Sequence, residues 1–275
     1  MNRFSLHQRL RYDYTSPVRR LQHRLMVLPP AVHGDQTRLS YRIEVHGNPV
    51  EAVESVDRFG NVVIDVRARR VADHVEFEAW SVVERGREEE LVAGPEVLAG
   101  LGHAEVMLVP SALTAPDTAL RAAATRLARS GDHGLDLADR VNAWVFAAMR
   151  YGHDVTSVRT TAAQALAVGA GVCQDYAHVM LALCRLLGLP ARYVSGHLQG
   201  EGGSHAWVEV LDPSAGAVAF DPTNDRRAGP TYLTIATGRD YADVAPTYGT
   251  FCGTGRGSLT TSKELTVSAV DLLHC

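Results

Sequence analysis

The sequence predicts an α+β protein in which an all-β N-terminal half is followed by helices and then by an antiparallel sheet. Three observations carry this expectation. Apolar residues alternate with a period of two up to about residue 92, recur at three- and four-residue spacing after residue 110, and alternate again after residue 190. The 275 residues suffice for one large or two modest cores, and a composition of 46% hydrophobic and 21% charged residues excludes collagen-like, disordered and coiled-coil classes.

The first strands are RLRYDYTSP, HRLMVLPP, RLSYRIEVHGNP, EAVESVDRFGNVVIDVRARR and VADHVEFEAWSVVER, cut by Pro29-Pro30, Gly47-Asn48-Pro49 and Gly60-Asn61. Val62, Ile64 and Val66 share one face, as do Val75, Phe77 and Ala79, so about five short strands predict a sandwich-like or open barrel-like sheet. The charged stretch Glu84 to Glu90 reads as a solvated strand end or linker, which places a domain boundary near residue 95. Residues 1–95 then form a β-rich domain and residues 96–275 an α+β core that includes the C-terminal strands. In the core, Thr118 to Ser130 and Leu135 to Tyr151 have helical periodicity, with Pro116-Asp117 as a start signal and Gly131 as a stop. A third helix runs from Cys173 to Leu187, preceded by Gly169 and Gly171 and closed by Gly188 and Pro190. The strand pattern returns in ARYVSGHL, SHAWVEVL, GAVAFDP and KELTVSAVDL.

Charge and cysteine usage narrow the function classes. The 27 Lys+Arg and 31 Asp+Glu leave a net charge of −4, and the basic residues come as short pairs mixed with acids, so no nucleic-acid partner is expected. Four widely spaced cysteines, none in a CxxC pair, make neither a disulfide framework nor a structural zinc site. No apolar run approaches the roughly 20 residues that span a bilayer, and the N-terminus lacks a signal-type apolar stretch. The expectation is a cytoplasmic protein with no membrane partner.

Cys173 carries the chemistry. It sits behind a glycine-rich loop at the start of an apolar helix, where the positive end of the helix dipole favours thiolate and the unpaired first-turn N–H groups can hold an oxyanion. Cys184 lies eleven residues on, within roughly 20° of the same direction but about 16 Å further along the helix, so it reads as core packing. Cys252 and Cys275 fall in late segments and have no assigned role. Of twelve histidines, His205 is the one on a strand whose partner strand offers a carboxylate in register. A hairpin centred near Pro213 or Ser214 sets His205 opposite or diagonal to Asp221, which can orient the imidazole and stabilise its charged form.

The run GAGVCQDYAHVMLALCRLLGLPARYVSGHL, with SHAWVEV and FDPTND after it, resembles the bacterial branch of the transglutaminase-like superfamily, whose core has the papain-like fold. The resemblance extends to RYDYTSPV and DRFGN, similar to that family's N-terminal domain, and to the tail GRDYADVAPTYGTF. It implies a catalytic triad of Cys173, His205 and Asp221. His197 stands where the family often has Tyr, and GAVAF lacks a Trp common before FDP.

Around the triad, Asp175 can cap the helix or join the site, and His178, roughly 140° round the helix from Cys173, reads as a buried hydrogen-bonded histidine near the site. Trp207 alternates onto the face of His205 and can wall a cleft or fill the core, while Gln164 and Asn224 are candidate polar contacts. A metal set of Cys173, His178, His197 and His205 matches no recurrent zinc spacing, and no EF-hand calcium loop is present, so no metal or cofactor is expected. The sequence therefore points to a thiol enzyme acting on a peptide or protein substrate, a cysteine peptidase or amidase. A protein-glutamine transglutaminase and a catalytically silent binding scaffold are the rival readings, and the oligomeric state is not legible.

Overall fold

The computed structural model describes residues 1–47, 51–86, 92–93 and 104–269. Its N-terminal part is β-only: β1 (Asn2–Tyr14), β2 (Val18–Leu25), β3 (Val32–His33), β4 (Gln36–His46), β5 (Glu51–Val56), β6 (Val62–Val71), β7 (His74–Arg85) and β8 (Val92–Ala93). Then come α1 (Ala104–Leu108), α2 (Thr118–Ala128), α3 (Gly134–Ala148), β9 (Arg150–Tyr151), α4 (Ala162–Val168), β10 (Ala170–Gly171) and α5 (Cys173–Leu186). The chain closes with β11 (Ala191–Leu198), β12 (His205–Asp212), β13 (Gly216–Asp221), β14 (Arg226–Arg227), β15 (Tyr232–Gly238), α6 (Tyr241–Val244), β16 (Thr247–Cys252) and β17 (Gly257–Ala269). The predicted α+β order holds, and the helices not foreseen, α1, α4 and α6, are short enough to leave little periodic signal.

Two antiparallel sheets, ordered β17-β1-β7-β4-β3 and β16-β2-β6-β5, form the N-terminal sandwich. Inward residues of both, among them Leu10, Leu21, Leu25, Ile64, Val66 and Phe77, share one buried cluster, the fate of alternating strands whose apolar faces meet. The sequence reading left the closing strands with the catalytic half, and here the structure differs. β17 pairs with β1 along Asn2↔Ala269 to Tyr14↔Gly257, and β16 pairs with β2. Among the described residues β1 is otherwise bonded only to β7, and β2 only to β6, so β17 and β16 cover two strand edges that would leave their N–H and C=O groups unpaired.

The core sheet is ordered β14-β13-β12-β11-β15, with β8 beside β14 on the edge of β13. Helix α5 packs on β11 and β12 and is surrounded by α2, α3 and α4, so every residue from Gln174 to Arg185 is buried. Apolar residues on most of its faces put the helix in the middle of the core, where its few polar side chains, such as Arg185, must be hydrogen-bonded.

Polar side chains fasten the sandwich to β15. Gln36 Nε2 donates to Thr234 O and its Oε1 accepts from Thr234 N, both at 2.9 Å, and Asn61 makes the same pair of bonds with Thr237 at 2.8 Å. Each amide thus takes the place of a neighbouring strand on that edge. Arg85, fully buried, donates to Tyr232 O and pairs with Asp35 at 2.9 Å. Glu209 accepts from His33 at 2.7 Å and from Arg192 at 2.6 Å; burial would raise its pKa, but the Arg192 charge and these bonds pull it down to about 2. Among the described residues, no helix is long and apolar enough to cross a membrane.

Candidate active site

The approach to Cys173 is shaped by two glycines. Gly169 ends α4 at φ 66°, a left-handed conformation that glycine adopts without strain. At Gly171 a Cβ would lie 2.4 Å from Asp175 Oδ2, so the carboxylate packs where any side chain would stand. Asp175 Oδ2 accepts from Val172 N at 2.8 Å and from Thr156 Oγ1 at 2.7 Å, which caps α5 and pins the preceding loop to it. Burial raises its pKa, with those two bonds acting against the shift.

Cys173 begins α5 and is partly exposed, whereas Cys184 is fully buried and its thiol is pushed up to about 12 by burial. Cys252 is exposed, and Cys275 lies outside the described residues.

His205 opens β12 and Asp221 closes β13. The hairpin register runs from Asp212↔Gly216 to Val208↔Phe220, which continues to place Asp221 opposite Trp207 and diagonal to His205. His205 Nε2 and Asp221 Oδ2 are 2.7 Å apart, and the Cys173 thiol lies close enough to the ring to act on its titration. A carboxylate only accepts, so Nε2 carries the hydrogen toward Asp221, and Nδ1 is the ring nitrogen free of Asp221, with Glu201 Oε2 3.1 Å away. Burial alone would lower the His205 pKa, but the bonds to Asp221 and Cys173 and their charges outweigh it and raise it to about 10. Asp221 is buried too, yet the His205 bond and charge, with Asn224 and Tyr232, draw its pKa below the ordinary carboxylate value.

Cys173, His205 and Asp221 thus lie together in one row, with His205 hydrogen-bonded to Asp221 and Cys173 sharing its cleft. Asn224 joins them, its Nδ2 donating to Asp221 Oδ2 at 2.7 Å. Trp207 is fully buried, its ring near-parallel to that of His205 at 6.2 Å between centroids. His178 is buried, its Nε2 accepting from Tyr241 N at 3.2 Å, and burial lowers its pKa to about 4. Gln164 is not part of the site: its side chain closes a reciprocal cap on Thr161 at the start of α4 and does not line the cleft. The four residues weighed as zinc ligands do not gather. Among the described residues, ligating atoms within 4.8 Å of one another occur instead at Glu44, His46 and Glu78 on the N-terminal sheet.

A family model of the transglutaminase-like superfamily matches residues 121–222, which hold Cys173, His205 and Asp221, and one of the bacterial transglutaminase-like N-terminal region matches residues 4–84. An uncharacterised protein of Mycobacterium leprae is 30% identical over 257 residues, 87% of this chain and 90% of that protein. The chain belongs to the transglutaminase-like superfamily. An uncharacterised Mycobacterium tuberculosis protein is 35% identical over 129 residues, which cover 42% of this transglutaminase-like chain and 40% of that one. The crystal structure of a candidate cysteine protease from Cytophaga hutchinsonii has the same fold over nearly the whole length, with a TM-score of 0.79 at 24% identity, covering 98% of this chain and 92% of that one.

The sequence reading of this transglutaminase-like core missed three contributors. Tyr232 donates to Asp221 Oδ2 at 2.7 Å and accepts from Arg226 Nε at 2.9 Å, so β15 and β14 help to hold the carboxylate. Glu201 lies in the polar loop after β11, its Oε2 3.1 Å from His205 Nδ1. Gly196 pairs with His205 at a bulge in β11, and a Cβ there would lie 2.2 Å from Leu233 O and 2.4 Å from the Trp207 ring. Neither Tyr232 nor Glu201 carries a sequence signal. The family motif of Gly196 does, in VSGH. Above the row opens a cleft of about 500 Å³ lined by Cys173, Gln174, Tyr193, His205 and Tyr241 among others.

Proposed function

We propose that this transglutaminase-like protein is a thiol-dependent acyl-transfer enzyme in which Cys173 is the nucleophile, His205 the general base and acid, and Asp221 the group that orients His205. The observation that carries this reading is His205 bonded to a buried carboxylate at 2.7 Å while sharing one cleft with Cys173 at the start of α5. Family membership and the fold of a candidate cysteine protease support a cysteine-dependent enzyme in general.

The thiol proton passes to Nδ1 of His205, and the thiolate adds to the carbonyl carbon of a carboxamide or peptide bond. The carbonyl π electrons move to oxygen, where first-turn N–H groups of α5 stabilise the charge. Collapse breaks the C–N bond, the leaving amine takes the proton from His205, and an acyl-enzyme remains on Cys173. His205 then deprotonates the resolving nucleophile. Water gives hydrolysis, the favoured outcome because water reaches any open cleft, and a primary amine gives transfer.

The test is a panel of glutamine-containing and other peptides, incubated with and without a primary amine and read by mass spectrometry. Fragments mark a peptidase, water-dependent deamidation an amidase, and an amine adduct with loss of ammonia a transferase. Cys173→Ala with its fold intact should abolish each. Unchanged turnover in that variant would overturn the proposal, and a panel left intact by fresh wild-type protein would favour the scaffold reading.

A further inference from the structure

The loop between β11 and β12 reads QGEGGS over residues 199–204. A glycine-rich polar loop at a cleft mouth has no conformational preference of its own, yet here it is fixed at several points. Gln199 N donates to Thr231 O at 3.0 Å, Glu201 N donates to Leu198 O at 3.2 Å, and Gly200 takes φ 90°, a conformation that other residues rarely adopt. Lys263, on β17 of the N-terminal sandwich, donates to Glu201 O at 2.7 Å and to Gly203 O at 2.6 Å. The closing strand of the chain therefore holds this loop against the catalytic core, and the loop carries a carboxylate to the reacting groups. Glu201 Oε2 is 3.1 Å from Nδ1 of His205, the ring nitrogen not bonded to Asp221, and Glu201 lines the same cleft as Cys173, with 42% of its side chain exposed.

The charge balance there is uneven. When Cys173 and His205 form a thiolate–imidazolium pair, one positive ring faces three negative groups: Cys173, Asp221 and Glu201. No Lys or Arg is among the described residues that line the cleft. Lys263 offsets part of the charge, but its ammonium group binds the loop carbonyls and lines the neighbouring cavity, on the sandwich side of the loop. A neutral or anionic substrate finds no counter-charge for Glu201, whereas an ammonium group completes the set.

We propose that Glu201 is a specificity-determining residue that receives a cationic amino group of the substrate beside Cys173. This rests on the reading of Cys173 as the nucleophile. The amino group belongs either to the acyl donor, close to the carbonyl under attack, or to an amine acceptor.

The test needs no natural substrate. The full chain and its Glu201→Gln variant are treated with three methanethiosulfonate reagents, bearing a cationic trimethylammonium-ethyl, a neutral hydroxyethyl or an anionic sulfonatoethyl group, and modification is followed at each cysteine by peptide mapping. The exposed Cys252 serves as a reference on the same molecule for the intrinsic preference of a thiolate. Relative to Cys252, Cys173 should favour the cationic over the anionic reagent, and Glu201→Gln should cut that preference about tenfold, the size of effect one charge exerts across a few ångströms of partly wet protein. In the wild type, raising the salt concentration should shrink it in the same direction. A preference unchanged within about twofold in the variant overturns the proposal, as does an equal slowing of all three reagents, which marks a merely structural loop. Failure of the underlying reading is seen separately, as a neutral reagent that modifies Cys173 no faster than Cys252. Two sets of p-nitrophenyl ester reactions locate the amino group. Acylation by an N-acetyl-lysine ester faster than by its norleucine counterpart, lost in Glu201→Gln, places it on the donor, and capture of the acyl-enzyme by 1,5-diaminopentane, lost in the same variant, places it on the acceptor. Loss on neither arm contradicts the assignment.

Discussion

Replacing Asp221 by Asn removes the charge from the site while keeping its shape. Asp221 accepts at Oδ2 from His205 Nε2, Asn224 Nδ2 and the Tyr232 hydroxyl, each at 2.7 Å, and at Oδ1 from Thr223 N at 2.9 Å. An Asn amide offers one accepting oxygen and one donating NH₂, so in either orientation the NH₂ faces a donor. The relief open to the site is for His205 to move its hydrogen to Nδ1 and accept at Nε2, which leaves no base facing the thiol. The electrostatic part follows from the His205 pKa, which stands at about 10 against the ordinary 6.5, a preference for imidazolium on the order of 5 kcal/mol. Asp221 gives the ring a charge-assisted hydrogen bond, whose loss costs on the order of 2–3 kcal/mol, or roughly a hundredfold in the ion-pair population. Iodoacetamide alkylation of Cys173 near pH 6.5 should therefore slow about a hundredfold, with turnover falling further because the tautomer is wrong. Alkylation within about threefold of wild type would refute the role given to Asp221 and the link between its carboxylate and the thiolate.

Tyr232→Phe deletes one of three bonds to Asp221 Oδ2 and leaves Arg226 without its acceptor; turnover should fall about tenfold with a stability loss near 1 kcal/mol, and an unaltered kcat would remove Tyr232 from the site. Gly196→Ala drives a Cβ into the Leu233 carbonyl and the Trp207 ring, so a loss above ~3 kcal/mol or failure to fold is expected in chemical denaturation, and a wild-type midpoint would contradict the packing described. Gln36→Ala leaves the N–H and C=O of Thr234 unpaired at a buried edge, which should cost roughly 1–3 kcal/mol by thermal unfolding, with Asn61→Ala at Thr237 equivalent. Burial lowers the pKa of His23 and His178 to about 4 and of His197 to about 3, so near pH 5 these groups are neutral when folded and charged when unfolded. Unfolding at that pH should take up about three protons, and stability should fall as the pH drops from 6.5 toward 4; an uptake near zero would contradict their burial. His205, shifted the other way, gives its full stabilisation below pH 6.5 and loses it as the pH rises toward 10.

What the sequence made legible were features written in local periodicity. Gly169 and Gly171 ahead of an apolar run mark where α5 starts, and therefore where Cys173 sits. Hairpin arithmetic across Asp212–Gly216 brings His205 and Asp221 together because a two-residue period leaves few registers open. Thr161-x-x-Gln164 is a capping box in plain sight, and reading it as such would have kept Gln164 out of the site. The rest depends on pairings between distant segments. KELTVSAV reads as a strand, but nothing in it tells that its partner is β1, more than 240 residues earlier. Tyr232, at the start of β15, reaches Asp221 at the end of β13 across the ends of the two strands between them, β11 and β12, and Glu201 reaches His205 because Lys263 of the sandwich grips its loop. Gln36 and Asn61 look like turn residues until the edge of β15 is set against them. These contacts give the N-terminal sandwich a physical connection to the catalytic core: it braces the strand that bears Tyr232 and the loop that bears Glu201.

The central claim is that the Cys173 thiol is activated by His205, and competitive alkylation measures this most directly. Wild-type protein treated with less than one equivalent of iodoacetamide near pH 6.5 should be modified at Cys173 ahead of the exposed Cys252 and the buried Cys184, and His205→Ala should abolish that preference with the fold retained. Equal modification of Cys173 and Cys252 in the wild type, or a preference that survives in His205→Ala, would contradict the account.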